Sequence, residues 1–224
     1  MRRWLPVLLA GAIGLGCLGL AGWRLAEGWT PSRANYPYQG LDVRGGDGPF
    51  EWRQLKAAGA AFVYHVATEG SARDPAFEAD WDAIGEAGLG RGAVLVYSLC
   101  TPAEAQAAAF LALVPRTPDA LPPAIALDFA ADCPARPARA ALLADLKRVI
   151  AALEAHAAKP VLLRPSAAFE RAYQVSAALP RPIWAVGNLL SPGYAARPWR
   201  LWRASDFRRI EGAPRPVNWD VIAP

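Results

Sequence analysis

Ala93-Val94-Leu95-Val96-Tyr97, Thr101-Pro102-Ala103-Glu104 and Ala124-Ile125-Ala126-Leu127-Asp128-Phe129 follow one another within residues 93–129. The first and third are apolar nearly throughout. Runs of that length and composition are buried on both faces, as in a parallel sheet covered by helices. The Thr-x-x-Glu between them is a capping-box signature opening a helix to about Val114. Strand, helix and strand joined by short links predict a right-handed crossover unit.

The same rhythm extends in both directions. Upstream lie a short strand at Gly40-Leu41-Asp42-Val43, a helical turn or two over 52–58, and a β-rich run at Ala61–Val66. A helix over 75–87 follows, with Pro75 at a favourable first position and Gly88 as its stop. Downstream come a long helix over 136–157, a strand at Lys159–Leu163 and a short helix near 166–172. Late strands follow at Pro182–Val186 and Trp199–Trp202 with little helix between them. The pattern predicts one α/β domain, a closed or nearly closed TIM-like barrel, with function at the C-terminal ends of its strands.

The chain has 224 residues, 54% apolar and 20% charged, enough for a real core. Net charge is 24 − 20 = +4, but Arg2, Arg3 and Arg24 flank a segment without acids, so residues 25–224 carry 21 basic and 20 acidic side chains. A near-neutral body argues against nucleic acid as a partner. Three Cys and two His build neither a disulfide scaffold nor a metal centre, so no metal or cofactor is expected. His65 and His156 read as packing or capping residues.

Trp4 to Trp23 is a run of twenty residues without a charge, long enough to span a bilayer's hydrocarbon core. Arg2 and Arg3 before it favour a cytoplasmic N-terminus and an exported body. Residues 1–24 therefore read as a membrane anchor, with residues 4–23 as the span. The rival is a cleaved signal peptide with a weak small-x-small site at Gly19-Leu20-Ala21; lipidation at Cys17 is weaker still. Each version exports the rest, to the periplasmic face of a bacterial inner membrane or as a secreted protein. Residues 25–37 read as a linker and 38–224 as the folded domain.

Four polar groups fall at strand ends, and so at the barrel mouth: Asp42, Glu69, Tyr97 and Asp128. A carboxylate there is costly to bury unless paired. Helix capping or pairing with nearby Arg is the alternative use for each acid.

The order Gly40-Leu41-Asp42-Val43, Phe50-Glu51-Trp52, Phe62-Val63-Tyr64, Ala67-Thr68-Glu69-Gly70, Asp74, Phe77, Trp81 and Ala87-Gly88-Leu89 resembles the family-25 glycoside hydrolases, the muramidases or Chalaropsis-type lysozymes. The likeness continues through Gln106, Phe110, Leu121-Pro122-Pro123, Leu127-Asp128, Pro182-Ile183-Trp184-Ala185, Trp202 and Val217-Asn218. It implies an irregular β/α barrel that cleaves the β-1,4 bond after N-acetylmuramic acid, with peptidoglycan glycan strands as partner. It also implies catalytic roles for Asp42 and Asp128, and sugar contacts from Trp184, Trp202 and Asn218. Tyr97, at a strand end, is the best single candidate for stacking on a sugar; core packing is the competing reading for the aromatics.

The resemblance further implies an Asp-x-Glu at the fourth strand end, where residues two apart share a face. Here the stretch is Asp128-Phe129-Ala130, so alanine stands where the proton donor belongs. Val66 and Val94-Leu95 replace polar family positions, and the late Asp-x-Asn is inverted to Asn218-Trp219-Asp220. Glu69, Asp132 and Asp220 are the candidate substitute acids. Without one, hydrolysis is expected to be impaired, leaving a non-catalytic envelope-binding or scaffolding domain as the alternative. Finally, Cys100 and Cys133 fall on loops after adjacent strands. In an oxidising compartment that placement supports a disulfide, with free thiols as the alternative.

Overall fold

The computed structural model describes residues 5–224, with side chains described for residue 12 and from Gly14 onward. Arg2, Arg3 and Trp4, on which the topology reading rests, lie outside the described residues. Helix α1 (Leu5–Gly28) leads the chain, followed by β1 (Gln39–Val43), α2 (Trp52–Ala57), β2 (Phe62–Glu69), β3 (Ala72–Arg73) and α3 (Phe77–Glu86). Then come β4 (Gly90–Tyr97), α4 (Ala103–Leu113), β5 (Ala124–Leu127), α5 (Arg139–Ala157), β6 (Leu162–Pro165), α6 (Ala167–Tyr173) and α7 (Val175–Ala178). The chain ends with β7 (Ile183–Val186), β8 (Trp199–Arg208) and β9 (Val217–Ile222).

The strands run in the order β1-β9-β8-β7-β6-β5-β4-β2, and β1 pairs with β2 to close an eight-stranded barrel. All neighbours are parallel except β9, which is antiparallel to both β1 and β8. The strand β9 is absent from the sequence expectation; it fills the gap between the first strand and the last parallel one. The short β3 is a hairpin partner of β2 outside the ring.

Alternation along each strand sorts two layers. Leu95, Ile125, Leu127 and Leu163 face outward and pack with Phe110, Leu146, Ile150 and Phe169 of the covering helices. Phe62, Tyr64, Val94, Ala124, Ala126, Leu162, Trp184 and Leu201 face inward and fill the barrel. The small Ala124 and Ala126 leave room for Trp184, whose ring lies 4.9 Å from that of Tyr64. Gly40 is required by the same filling: a β-carbon there would meet the Phe62 ring.

Two local expectations are revised. The Thr101–Glu104 capping box does not form: Pro102 is the cap residue, and Glu104 instead accepts from Arg148 Nε at 2.8 Å. Gln106 holds the preceding loop, accepting from Ser98 N and donating to the Ser98 and Thr101 carbonyls. Strand β5 ends at Leu127, two residues early, so Asp128-Phe129-Ala130 lies beyond the strand.

Among the described residues no helix is long and apolar enough to cross a membrane. Leu15, Leu18, Leu20 and Leu25 of α1 are exposed. Near its end Trp23 meets Phe207, and Glu27 accepts from Arg209 Nε at 2.9 Å. Residues 29–38 run along the barrel: Gln39 donates to the carbonyls of Pro31 and Tyr36, and Arg33 donates to Gly59.

Candidate active site

A cleft of about 280 Å³ opens at the carboxyl ends of the parallel strands. Every strand of the closed ring contributes to it: Asp42, Val66, Val96, Ala126, Arg164, Val186, Arg203 and Asn218 occupy its lining, with Asp128 just past β5. Period-two alternation puts them there. Arg164 stands two residues after inward Leu162, and Arg203 two after inward Leu201.

Asp42 is the centre of the floor. It is buried, and its carboxylate accepts from Arg164 Nη1 at 2.9 Å, Arg203 Nε at 2.8 Å and Asn218 Nδ2 at 3.2 Å. A further bond from Arg203 Nη2 makes that arginine bidentate. Burial pushes the Asp42 carboxyl up, but the charges of Arg203 and Arg164 outweigh it and hold the group below the usual carboxylate range.

Asp220 lies beneath, fully buried. Its Oδ1 accepts from Trp184 Nε1 at 2.8 Å, while Oδ2 has no hydrogen-bond partner. Burial first, and the charge of Asp42 second, push the Asp220 carboxyl well above the carboxylate range. The upward shift favours the protonated form of the Asp220 carboxyl.

The remaining candidates divide. Asp42, Asp128 and Asn218 share the cleft. Glu69 is exposed, 3.9 Å from Arg44, and Asp132 is exposed on the loop after β5; neither lines the cleft. Tyr97 is buried in the outer layer, turned away from the cleft. Burial, the largest influence, raises its phenol to about 12. Trp202 is likewise on an outward face, its Nε1 donating to Gly187 O at 2.7 Å. Trp184 is inward but fully covered, with the Arg164 guanidinium 4.5 Å over its ring. The parity of each strand decides these placements; a position at a strand end does not. Cys100 and Cys133 form a disulfide with Cα atoms 5.8 Å apart.

Four charged cleft residues escaped the sequence reading: Arg44, Asp47, Arg164 and Arg203. Arg164 and Arg203 carried a usable signal, since each is a cation at an inward position of an apolar strand. Asp47 carried none; a short turn places it, with Oδ2 accepting from Arg44 N at 2.9 Å. The carboxyls lining the cleft among the described residues are thus Asp42, Asp47 and Asp128, with no glutamate. His65 faces outward, bonded to Asp80 at 2.9 Å, and His156 bonds Val114 O at 2.8 Å.

The model for glycosyl hydrolases family 25 matches residues 41–212. The chain belongs to glycosyl hydrolase family 25. A solved family-25 glycosyl hydrolase from Bacillus anthracis is 29% identical, with a TM-score of 0.77 over 84% of this chain and 89% of that one. A lysozyme from Streptomyces coelicolor, 23% identical, shares the fold at a TM-score of 0.74, covering 83% of this chain and 91% of that one. The YegX protein of Escherichia coli K12 is 26% identical over 201 residues, which is 84% of this chain and 71% of that protein. As a family-25 domain, the chain has a lysozyme-like barrel of the peptidoglycan-hydrolase type, and its cleft stands at the strand ends where such barrels hold their chemistry.

Proposed function

We propose that residues 38–224 form a peptidoglycan-directed, muramidase-like domain that engages glycan strands and hydrolyses the bond after N-acetylmuramic acid poorly or not at all. Family membership supports the substrate. The observation that carries the impairment is the cleft's acid inventory. Asp42 is committed to two arginines and held ionised, so it is a poor proton donor. Ala130 stands where the family pattern calls for glutamate, and Glu69 and Asp132 lie outside the cleft lining. Asp220 is sealed from solvent, and Asp47 is bonded to the backbone of Arg44. General acid catalysis contributes on the order of 10² to 10⁴ in rate, and its loss leaves binding as the main activity.

The test is sedimentation with purified sacculi, run beside release of dye from labelled sacculi. Co-sedimentation without dye release is the expected result. Rapid release that survives Asp128→Asn contradicts the site; absence of co-sedimentation contradicts the peptidoglycan reading. The charge-free run behind Arg2-Arg3 supports export, with the domain in the periplasm or secreted. A phosphatase fused after residue 224 should be active only if that holds.

A further inference from the structure

Resting on the peptidoglycan reading, we propose that Arg164 and Arg203 form an anion-binding subsite in the cleft for a sugar that carries a carboxylate or phosphate group. The two arginines come from strands separated only by β7, and both point inward. Their side chains are 10% and 16% exposed, so neither is a solvated surface cation.

Both reach for the same carboxylate. Arg164 gives Asp42 only Nη1, and Arg203 gives it Nε and Nη2. Arg164 Nε and Nη2 and Arg203 Nη1 have no protein acceptor among the described residues, and none is among the sealed unpartnered atoms. They are donors open to the cleft. Asn218 adds no charge, and the fully buried Asp220 lies beneath the cleft rather than in its lining. In the cleft floor two guanidinium groups therefore converge on one carboxylate. Asp128 lines the same cleft but is exposed, and Asp47 is bonded to the backbone of Arg44. Burial first, and the charge of Arg203 second, pull the Arg164 guanidinium down from its ordinary value.

An arginine fork held over Trp184 presents fixed donors to a planar or tetrahedral oxyanion. In peptidoglycan two sources supply one. The lactyl carboxyl of N-acetylmuramic acid is an amide while its stem peptide is attached, and becomes a free carboxylate once an amide hydrolase removes that peptide. A phosphorylated sugar is the other source. The subsite thus places this domain after peptide removal, or on phosphate-decorated glycan.

Calorimetric titration of the full chain decides the matter with three disaccharides: N-acetylglucosaminyl-N-acetylmuramic acid with its carboxylate free, neutral chitobiose, and chitobiose 6-phosphate. At least one charged sugar should bind about tenfold more tightly than chitobiose, the preference shrinking with added salt. Whichever charged sugar is preferred identifies the source. Arg164→Gln should erase the preference and Arg164→Lys should retain part of it, so the outcome does not hang on one variant's folding. Equal binding of charged and neutral sugars overturns the subsite while leaving the glycan reading intact. A folded Arg164→Gln protein that keeps its full preference also overturns it. Failure of sacculi themselves to sediment the protein removes the parent reading instead.

Discussion

On the floor of the cleft Asp42 is buried and receives hydrogen bonds from Arg164, Arg203 and Asn218, whereas at the rim Asp128 is exposed and accepts at 2.8 Å from the N–H of Phe129, its own neighbour. The floor is an electrostatic cluster built around one carboxylate, with arginine donors left over. The rim is held by covalent and aromatic means: the Cys100–Cys133 disulfide, Phe129 against Phe169 at 5.2 Å, and Arg136 over Phe129 at 4.2 Å. The difference separates two roles that one carboxylate pair would otherwise share. Floor residues hold the barrel mouth together, while Asp128 at the rim is free to change with little cost to folding.

Breaking the floor should have the largest effect. Arg203→Ala leaves Asp42 buried with half its partners and should cost about 3–5 kcal/mol, read by urea denaturation. A loss under about 1 kcal/mol would show that the cluster is not a structural unit. Next comes the rim tether. Cys100→Ser with Cys133→Ser opens a loop of sequence separation 33 and should lower stability by about 2–4 kcal/mol. No change in melting temperature would assign the rim's order to Phe129 alone.

The third prediction concerns pH and sharpens the floor itself. The folded state binds the Asp220 proton more tightly than the unfolded chain does. Stability from this group is full below the unfolded value near pH 4 and is lost as pH rises toward the raised folded value. Asp42 acts oppositely, and its contribution fades as pH falls below the same unfolded value. Asp220→Asn keeps an acceptor for Trp184 without titrating. The stability of the native protein relative to this variant should fall by up to about 1.4 kcal/mol per pH unit above pH 4. A flat difference would mean that Asp220 is ionised in the fold. The smallest effect is at the rim: Asp128→Asn should change stability by less than about 0.5 kcal/mol while removing any residual lysis.

The barrel was legible because its strands are apolar on both faces and punctuated by helix signals. Leu162-Leu163 and Ala124–Leu127 needed no tertiary information. The strand β9 was not legible as an element: Val217-Asn218-Trp219-Asp220 alternates apolar and polar residues, which also suits a terminal segment. In the site, Asp42 and Asp128 were read from strand ends and both reach the cleft. Tyr97 and Trp202 were read by the same rule and do not, because facing is set by parity from the inward Val94 and Leu201. The pairing of Arg164 and Arg203 with Asp42 spans 122 and 161 residues, a distance over which local pattern carries no information.

The central claim, a glycan cleft with no glutamate at the family's proton-donor position, is tested most directly by restoring that acid. New reducing ends should be counted after purified sacculi are incubated with the native protein and with Ala130→Glu. The native protein should generate none above background, and Ala130→Glu should generate a slow but measurable release that Asp128→Asn abolishes. Brisk release by the native protein, not increased by Ala130→Glu, would contradict the account.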